Sequence, residues 1–178
     1  MKHKPLTRSA TFSEDGKYRY ELRRTLQVVP LEDSLKACFI MLNPSTADGF
    51  KDDATVRKCM GFARDWGCTE IIVVNLFGFR ATKPADLKKA KDPTGPHNEA
   101  YVFEAVYETL YQRNEGLLVA AFGNHGTLND QDGEFYNIWL EELGEPFIQC
   151  LGHTDKGAPR HPLYVSYETP LEEYTPHG

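Results

Sequence analysis

Four short apolar runs restrict the fold of this chain more than any other feature of its sequence. They occupy residues 37–42, 71–75, 117–122 and 146–150. Runs of this kind are typical of strands that are buried on both faces of a sheet. Apolar residues recur at helical spacing in the segments between them, at residues 55–66, 98–113 and 135–143. This alternation of strands and helices predicts an α/β fold with a mainly parallel four-stranded sheet and helices on both faces.

An antiparallel hairpin is predicted within residues 10–29, outside the parallel strands. The turn residues Glu14-Asp15-Gly16 precede a segment in which apolar and charged side chains alternate. Strict alternation predicts one face that carries Tyr18, Tyr20 and Leu22 and a second face that carries Arg19, Glu21 and Arg23.

The length of 178 residues predicts a single domain, residues 1–178, with one sizeable core. A content of 40% hydrophobic and 26% charged residues excludes a disordered or coiled-coil chain. No apolar run approaches the ~20 residues needed to cross a bilayer, and the start of the chain is polar rather than signal-like. We therefore expect a cytoplasmic protein without membrane association. The sequence contains no indication of oligomeric state.

Net charge and cysteine usage limit the partners and the compartment. The chain has 20 basic and 26 acidic side chains, and the resulting charge of -6 argues against coating of nucleic acid through bulk charge. A local basic groove is compatible with that balance. The cysteines are isolated from one another and follow no secretory signal, so we expect reduced core thiols at Cys38, Cys59, Cys68 and Cys150.

Polar residues follow each apolar run, at the point where each predicted strand ends. The four sets are Asn43-Pro44-Ser45-Thr46-Ala47-Asp48, then Asn75, then Gly123-Asn124-His125, and finally His153 with Arg160-His161. The carboxyl ends of parallel strands meet at one edge of a sheet, where doubly wound folds bind their ligands. A ligand site is therefore expected at this edge.

Asn43 and Asn75 each close a strand at that edge. A carboxamide there offers a donor and an acceptor to a planar heterocycle, or holds one water. A single Asn in such a position is more often a turn former that bonds its own backbone. Two of them, together with a histidine at a matching position, favour a ligand site.

His161 follows the last predicted strand and can stabilise a developing negative charge or act as an acid or base near neutral pH. A lone histidine is more often structural, which makes His125 and His153 weaker candidates. The spacing of these residues matches no metal-binding motif, so no metal and no cofactor are predicted. Asp52 and Asp53 precede a predicted helix and are explained by capping, with a magnesium site as the less favoured alternative.

A basic cluster interrupts the acidic chain at Lys83, Lys88, Lys89 and Lys91. It suits contacts with backbone phosphates, and a solvated helix face around residues 84–90 explains it equally well. We expect some of these lysines to make the mouth of the site positive, together with Arg80, Lys156 and Arg160.

Five motifs span most of the predicted core. They are Met41-Leu42-Asn43-Pro44-Ser45-Thr46-Ala47-Asp48, Asp52-Asp53-Ala54-Thr55, Asn75-Leu76-Phe77-Gly78-Phe79-Arg80-Ala81-Thr82, Asp92-Pro93-Thr94-Gly95 and Pro159-Arg160-His161-Pro162-Leu163-Tyr164. Together they resemble the family known as domain of unknown function 1643, from about Thr11 to Tyr164. That resemblance implies no established chemistry.

The order of the motifs also resembles, more distantly, the uracil-DNA glycosylase superfamily. This resemblance implies a three-layer α/β/α sandwich in which Asn43 orients an attacking water, Asn75 pairs with an extruded base and His161 stabilises the departing base. It further implies that Phe50 stacks on the base, beside a base site formed by Pro44, Ser45, Asp48, Gly123 and Asn124. Phosphate contacts would come from Arg80, Lys156 and Arg160. The chain departs from the superfamily pattern at Met41-Leu42, where a Gly is usual, and at Leu163.

The leading functional hypothesis is an N-glycosylase-like hydrolase that acts in base excision and releases a base from DNA or from a nucleotide, with a modified base favoured. The alternative is a non-catalytic module that binds a modified nucleotide or nucleic acid in the same pocket. A nucleotide-dependent transferase is the weaker third option, because the sequence contains no Gly-rich phosphate loop.

Overall fold

The computed structural model describes residues 4–111, 116–144 and 147–174. Within these residues one mixed sheet contains seven strands: β1 (Thr7–Phe12), β2 (Arg19–Thr25), β3 (Lys36–Met41), β4 (Glu70–Asn75), β5 (Leu117–Ala120), β6 (Gln149–Cys150) and β7 (Glu172–Glu173). The α-helices of the same part of the chain are α1 (Ala54–Asp65), α2 (Pro84–Leu87), α3 (Asn98–Tyr111) and α4 (Gln131–Leu143). The predicted α/β class is confirmed.

The strands are ordered β1-β2-β4-β3-β5-β6-β7. The neighbours among β4, β3, β5 and β6 pair in parallel, as the apolar runs predicted. The hairpin β1–β2 extends the sheet at one edge, because β2 pairs antiparallel with β4. At the other edge, β7 pairs antiparallel with β6.

The central strands are apolar throughout because both of their faces are buried. Along β3, Cys38 and Ile40 belong to a core cluster that includes residues of α3. Phe39 and Met41 belong to a second cluster that includes residues of α1. A strand with two buried faces has no reason to alternate between apolar and polar residues.

The fourth predicted strand, residues 146–150, is too long. Only Gln149–Cys150 pair as a strand, and residue 146 lies outside the described residues. Ile148 is buried, but its carbonyl accepts a hydrogen bond from the Tyr174 N–H outside the paired strand. The third strand likewise ends at Ala120 rather than residue 122. An apolar run indicates which residues are buried, and buried residues continue past the end of the hydrogen-bonded strand.

The expected faces of the hairpin are wrong because β2 contains a β-bulge. Thr11 pairs with Glu21 and Phe12 pairs with Arg19, so that Tyr20 is an extra residue. Leu22 therefore packs in the α1 cluster, whereas Tyr20 stacks on Tyr101 of α3 with ring centroids 5.0 Å apart. The bulge also places Arg19 on the side of Leu22, where its Nη1 donates to the carbonyl of Ala47 in the same cluster.

All four cysteines are buried free thiols, as predicted. Burial raises the pKa of Cys38 and of Cys68 to about 12, which makes both thiols unreactive near neutral pH. No helix in the described ranges is long and apolar enough to span a membrane.

Candidate functional site

A cavity of about 670 Å³ opens at the carboxyl edge of the parallel strands. From β3 the chain passes through α1 to β4, which lies on one side of β3. From β4 it passes through α3 to β5, which lies on the other side of β3. The carboxyl ends of β3 and β5 therefore form the switch point of the sheet, where ligands of doubly wound folds bind. The cavity lies at this point, with α1 as one wall.

The cavity brings together four residues that the sequence placed at one edge: Asn43, Asn75, Gly123 and His161. Ser45, Asn124 and Arg160 also line it. Gly123 has a φ of +70°, and an added Cβ would meet nothing within 4 Å. Position 123 thus requires glycine because of its backbone conformation and not because space is short.

Asn75 presents an unpaired carboxamide to this site. The residue is 1% exposed, and neither its Oδ1 nor its Nδ2 has a hydrogen-bond partner among the described residues. Its backbone carbonyl is held by the Asn98 Nδ2 group, which donates at 2.8 Å. Buried polar atoms without partners cost about 1–3 kcal/mol each, so such atoms mark a place where a ligand or water binds.

Asn43 is oriented by its own amide group. Its Nδ2 donates to the carbonyl oxygens of Ala81 at 2.7 Å and of Pro44 at 3.1 Å. Within the described part of the chain no donor reaches its Oδ1, which leaves an acceptor for a water or ligand in the cavity. Pro44 itself is buried and does not line the cavity; its carbonyl also accepts from the Ala81 N–H at 3.0 Å.

His161 is held in a defined tautomer. The Leu163 N–H donates to its Nδ1 at 3.2 Å, so the neutral ring carries its proton on Nε2. Burial lowers the pKa of His161, and the charge of Asp53 opposes the shift only in part. The ring is therefore neutral at neutral pH and offers an Nε2–H donor.

Asp53 both caps α1 and lines the cavity. Its Oδ1 accepts from the Val56 N–H at 2.9 Å, which confirms the predicted cap. Asp52 does not share the cavity, because it accepts from Arg24 at 2.6 Å and from Arg8 at 2.9 Å. The two carboxylates thus serve different partners and do not form the pair that a magnesium site needs.

Phe50, which the resemblance placed on the base, lies outside the cavity and is 92% exposed. It lines a separate shallow groove with Asp48 and Arg80. The loop turns there because the Asp48 carboxylate accepts from the Phe50 and Lys51 N–H groups, both at 2.7 Å. The structure thus places Phe50 and Asp48 outside the cavity that Asn43 and Asn75 line.

Charge around the cavity is mixed rather than positive. Arg160 lines it, but so do Asp53 and Asp155. Arg80 donates to the Gly16 carbonyl at 3.0 Å and lies over the Phe12 ring, away from the mouth. Lys156 is exposed and does not line the cavity, nor do the predicted basic residues Lys83, Lys88, Lys89 and Lys91.

The sequence did not indicate several lining residues, among them Arg19, Phe122 and Tyr164. Phe122 is the last residue of the apolar run 117–122, and that position could have marked it as a wall residue. Tyr164 is the last residue of the fifth motif, and the centroid of its ring lies 5.5 Å from that of His161. Arg19 carried no local signal, because its position depends on the bulge at Tyr20.

A second polar cluster lies outside the cavity. Cys150, His153 and Glu172 place one potential ligand atom each within 4.8 Å of the others. The His153 Nδ1 and the Glu172 Oε1 are 2.7 Å apart, and the Cys150 Sγ is 3.7 Å from Nε2. Cys, His and Glu are zinc ligands, so these are the described residues best able to hold a metal. Burial raises the pKa of the Cys150 thiol to about 11.

The fold and the cavity define an α/β protein with a polar cleft at the carboxyl edge of parallel strands. A family model described as a protein of unknown function, DUF1643, matches residues 19–163. The chain belongs to this family. Comparison with curated proteins found no match, and comparison with solved structures found none either.

Proposed function

We propose that the protein is an N-glycosylase-like hydrolase that releases a base, with a modified base favoured, from DNA or from a nucleotide, on a three-layer α/β/α scaffold. The observation that carries this proposal is the buried carboxamide of Asn75, whose donor and acceptor both lack partners. One donor beside one acceptor matches the hydrogen-bonding edge of a nucleobase. The motif order, which resembles that of the uracil-DNA glycosylase superfamily, supplies the class of reaction.

His161 acts on the departing base. When the C1′–N bond breaks, its electron pair moves onto the base, and a donor near the new negative charge lowers the barrier. The neutral ring of His161 offers its Nε2–H for this purpose, because Nδ1 is occupied by the Leu163 N–H. A donor that is already oriented needs no reorganisation during the reaction.

Asn43 and Asp53 act on the water. The free Oδ1 of Asn43 accepts a hydrogen bond from a water that attacks C1′ of the oxocarbenium-like sugar. The oxygen of that water bonds to C1′, and its proton passes to the Asp53 carboxylate and then to solvent or to the released base. Asp53 is the acid on the α1 wall of the cavity, and its capping bond occupies only Oδ1 at 2.9 Å.

The size of the cavity suits a base with its sugar. Sites for small molecules commonly measure about 300–1,000 Å³, and this one measures about 670 Å³. Arg160 lies on the lining and can contact a phosphate, while its Nε is fixed by the His153 carbonyl at 2.9 Å. An extruded base is the form in which a duplex substrate would enter such a site.

Release of free base is the test. Oligonucleotides and nucleotides that carry uracil, hydroxymethylated or glucosylated bases are incubated with the protein, and released base is measured by mass spectrometry. We expect release from at least one substrate, and its loss in His161→Ala. His97→Ala is the matched control, because His97 is exposed and does not line the cavity. Release that is equally fast in His161→Ala contradicts the mechanism.

A non-catalytic reader of a modified nucleotide is the second candidate. The same observation favours it, because the free donor and acceptor of Asn75 bind a base edge whether or not a bond is broken. Binding of a substrate without release across the whole panel favours the reader over the hydrolase.

A further inference from the structure

Arg19 is a buried arginine at the start of β2 that faces the cavity. It is 3% exposed and lines the cavity together with Asn75. The bulge at Tyr20 places it there, since strict alternation would have put it on the opposite face from Leu22. Arg19 and Asn75 lie on neighbouring strands, at the same edge of the sheet.

The hydrogen bonds of Arg19 are incomplete. Its Nη1 donates to the Ala47 carbonyl at 2.8 Å, whereas its buried Nε has no partner among the described residues. None of the ion pairs in the described part of the chain includes Arg19. A guanidinium has five N–H groups in a planar fork, so most of its donor capacity is available to a ligand.

Arg24, in the same strand, shows what a structural arginine looks like in this protein. It is 0% exposed, and its Nε donates to the Asp52 carboxylate at 2.6 Å. Its Nη1 and Nη2 donate to backbone carbonyls, at 2.7 Å to Arg23 and at 2.6 Å to Asp48. Arg24 is thus neutralised by an ion pair and saturated with hydrogen bonds, whereas Arg19 has no ion pair among the described residues and a buried Nε without a partner.

The charge of Arg19 persists despite its burial. Burial lowers the pKa of Arg19 to about 10, and the charge of Asp53 opposes the shift only in part, so the side chain stays protonated at neutral pH. A buried cation without a paired anion is strongly disfavoured, as the loss of stability on removing one partner of a buried ion pair shows. Among the described residues that line the cavity, the buried polar atoms without partners are two donors, the Nε of Arg19 and the Nδ2 of Asn75, and one acceptor, the Oδ1 of Asn75. A negatively charged group that is rich in acceptors suits this excess of donors.

We propose that the floor of the cavity binds an anionic oxygen group of the ligand, a carboxylate or a phosphate, through the guanidinium of Arg19. The proposal rests on the proposed function in that the ligand is a base or a nucleotide, but anion binding requires no turnover. A carboxylate would belong to the base itself, because Asn75 beside Arg19 holds the base edge. A phosphate would belong to a free nucleotide.

Calorimetry with matched pairs of probes tests the proposal. Orotate is compared with uracil, and deoxyuridine 5′-monophosphate with deoxyuridine; inorganic phosphate is the fifth probe. We expect at least one anionic probe to bind more tightly than its neutral counterpart, and Arg19→Gln to reduce its affinity by at least about tenfold. Arg19→Lys should recover part of that loss, since it keeps the charge but not the fork. If orotate binds more tightly than uracil, the anionic group of the ligand is a carboxylate. If the phosphate probes bind, the anionic group is a phosphate.

Thermal unfolding separates binding from a structural role. Without anion, Arg19→Gln should unfold at the same temperature as the wild type or at a higher one, because it removes a buried charge that has no ion-pair partner among the described residues. Arg64→Gln, on the opposite end of α1 and outside the cavity, is the control. A clear fall in the midpoint of Arg19→Gln overturns the proposal. So does a wild type that binds no anionic probe at millimolar concentration, or equal affinity in Arg19→Gln.

Failure of this proposal and failure of the hydrolase can be told apart. Anion binding that depends on Arg19, without base release from any substrate, leaves the anion site standing and removes the hydrolase. Base release, with anion affinity that does not depend on Arg19, supports the hydrolase and overturns the anion site.

Discussion

The ring of His161 and the backbone of Leu163 are joined by a hydrogen bond in which the Leu163 N–H donates to Nδ1 at 3.2 Å. The intervening Pro162 has no N–H, so Leu163 carries the first donor of the short 3-10 turn Pro162–Tyr164. The His-Pro sequence therefore fixes the ring and its tautomer through local geometry. The neutral ring directs its remaining N–H away from its own turn.

Replacement of His161 should slow base release without loss of the fold. We expect His161→Gln to lose on the order of a hundredfold in the single-turnover rate, the size typical of one oriented transition-state donor. His97→Gln should retain the wild-type rate. A loss of less than about threefold in His161→Gln would place the donor elsewhere.

The same histidine predicts an effect of pH. Burial lowers its pKa from the ordinary 6.5, so the unfolded chain takes up this proton before the folded protein does. Its contribution to stability therefore decreases as pH falls from about 6.5 to the lowered value in the fold, and stays constant below that value. Protonation of the folded ring also places a proton on Nδ1, against the Leu163 N–H, so the rate should fall as pH decreases through the lowered value in the fold. Urea unfolding and release rates of wild type and His161→Gln, measured between pH 5 and pH 7.5, test both effects; a wild type with the pH dependence of the variant contradicts them.

Asn43→Ala should reduce both stability and rate. The two hydrogen bonds from its Nδ2 connect the segment after β3 to Ala81 and Pro44. Their loss should lower the free energy of unfolding by about 1–2 kcal/mol. Loss of the water acceptor Oδ1 should lower the rate of release by about a hundredfold, measured at a temperature where the variant is folded. An unchanged rate in the folded variant would limit Asn43 to a structural role.

The sheet could be predicted from sequence, whereas the shape of the site could not be predicted in full. Apolar runs identify doubly buried strands, and parallel strands bring their carboxyl ends together, which is why Asn43, Asn75 and His161 were found. The bulge at Tyr20 adds one residue without changing composition, so the position of Arg19 could not be read from alternation.

The position of Phe50 could not be predicted for a different reason. The loop that carries it is fixed by Arg24, which is 24 residues away from Asp48 in sequence and donates to the Asp48 carbonyl at 2.6 Å. Such a long-range contact leaves no local pattern. The direction of a loop therefore needs the structure, even where the motif that contains the loop is evident.

Asp52→Asn should destabilise the protein and make it less sensitive to acid. Burial alone would raise the pKa of Asp52, but hydrogen bonds from Arg8 and Arg24 outweigh that effect and lower it. A lowered pKa gives stability that is complete well above 3.8 and is lost as pH falls through the value in the fold. Removal of the carboxylate leaves Arg24 buried without its anion, at a cost of about 3 kcal/mol. Urea unfolding at pH 7 and pH 3 checks this. The variant should have a lower free energy of unfolding than the wild type at pH 7, and its free energy of unfolding should change less between the two pH values.

Asn75→Asp should change which ligand binds. The substitution exchanges the Nδ2 donor for an acceptor and introduces a negative charge on the strand next to Arg19. We expect the affinity for anionic probes to fall at least tenfold, because the new carboxylate competes for the guanidinium. Asn137→Asp, on the exposed side of α4, is the control for added charge. Equal anion affinity in Asn75→Asp and wild type would separate Asn75 from the anion site.

Asp53→Asn separates the cap of α1 from chemistry in the cavity. Asn caps helices as well as Asp does, and the side-chain oxygen that accepts from the Val56 N–H at 2.9 Å is retained. The free energy of unfolding should therefore change by less than about 0.5 kcal/mol. The amide cannot accept the proton of the attacking water, so the single-turnover rate should fall by about a hundredfold, within the range that general base catalysis contributes. Asp65→Asn, which changes an exposed carboxylate at the far end of the same helix, should leave stability and rate unchanged. A large loss of stability in Asp53→Asn, or a rate equal to that of Asp65→Asn, would show that the carboxylate is only a cap and that the proton leaves by another route.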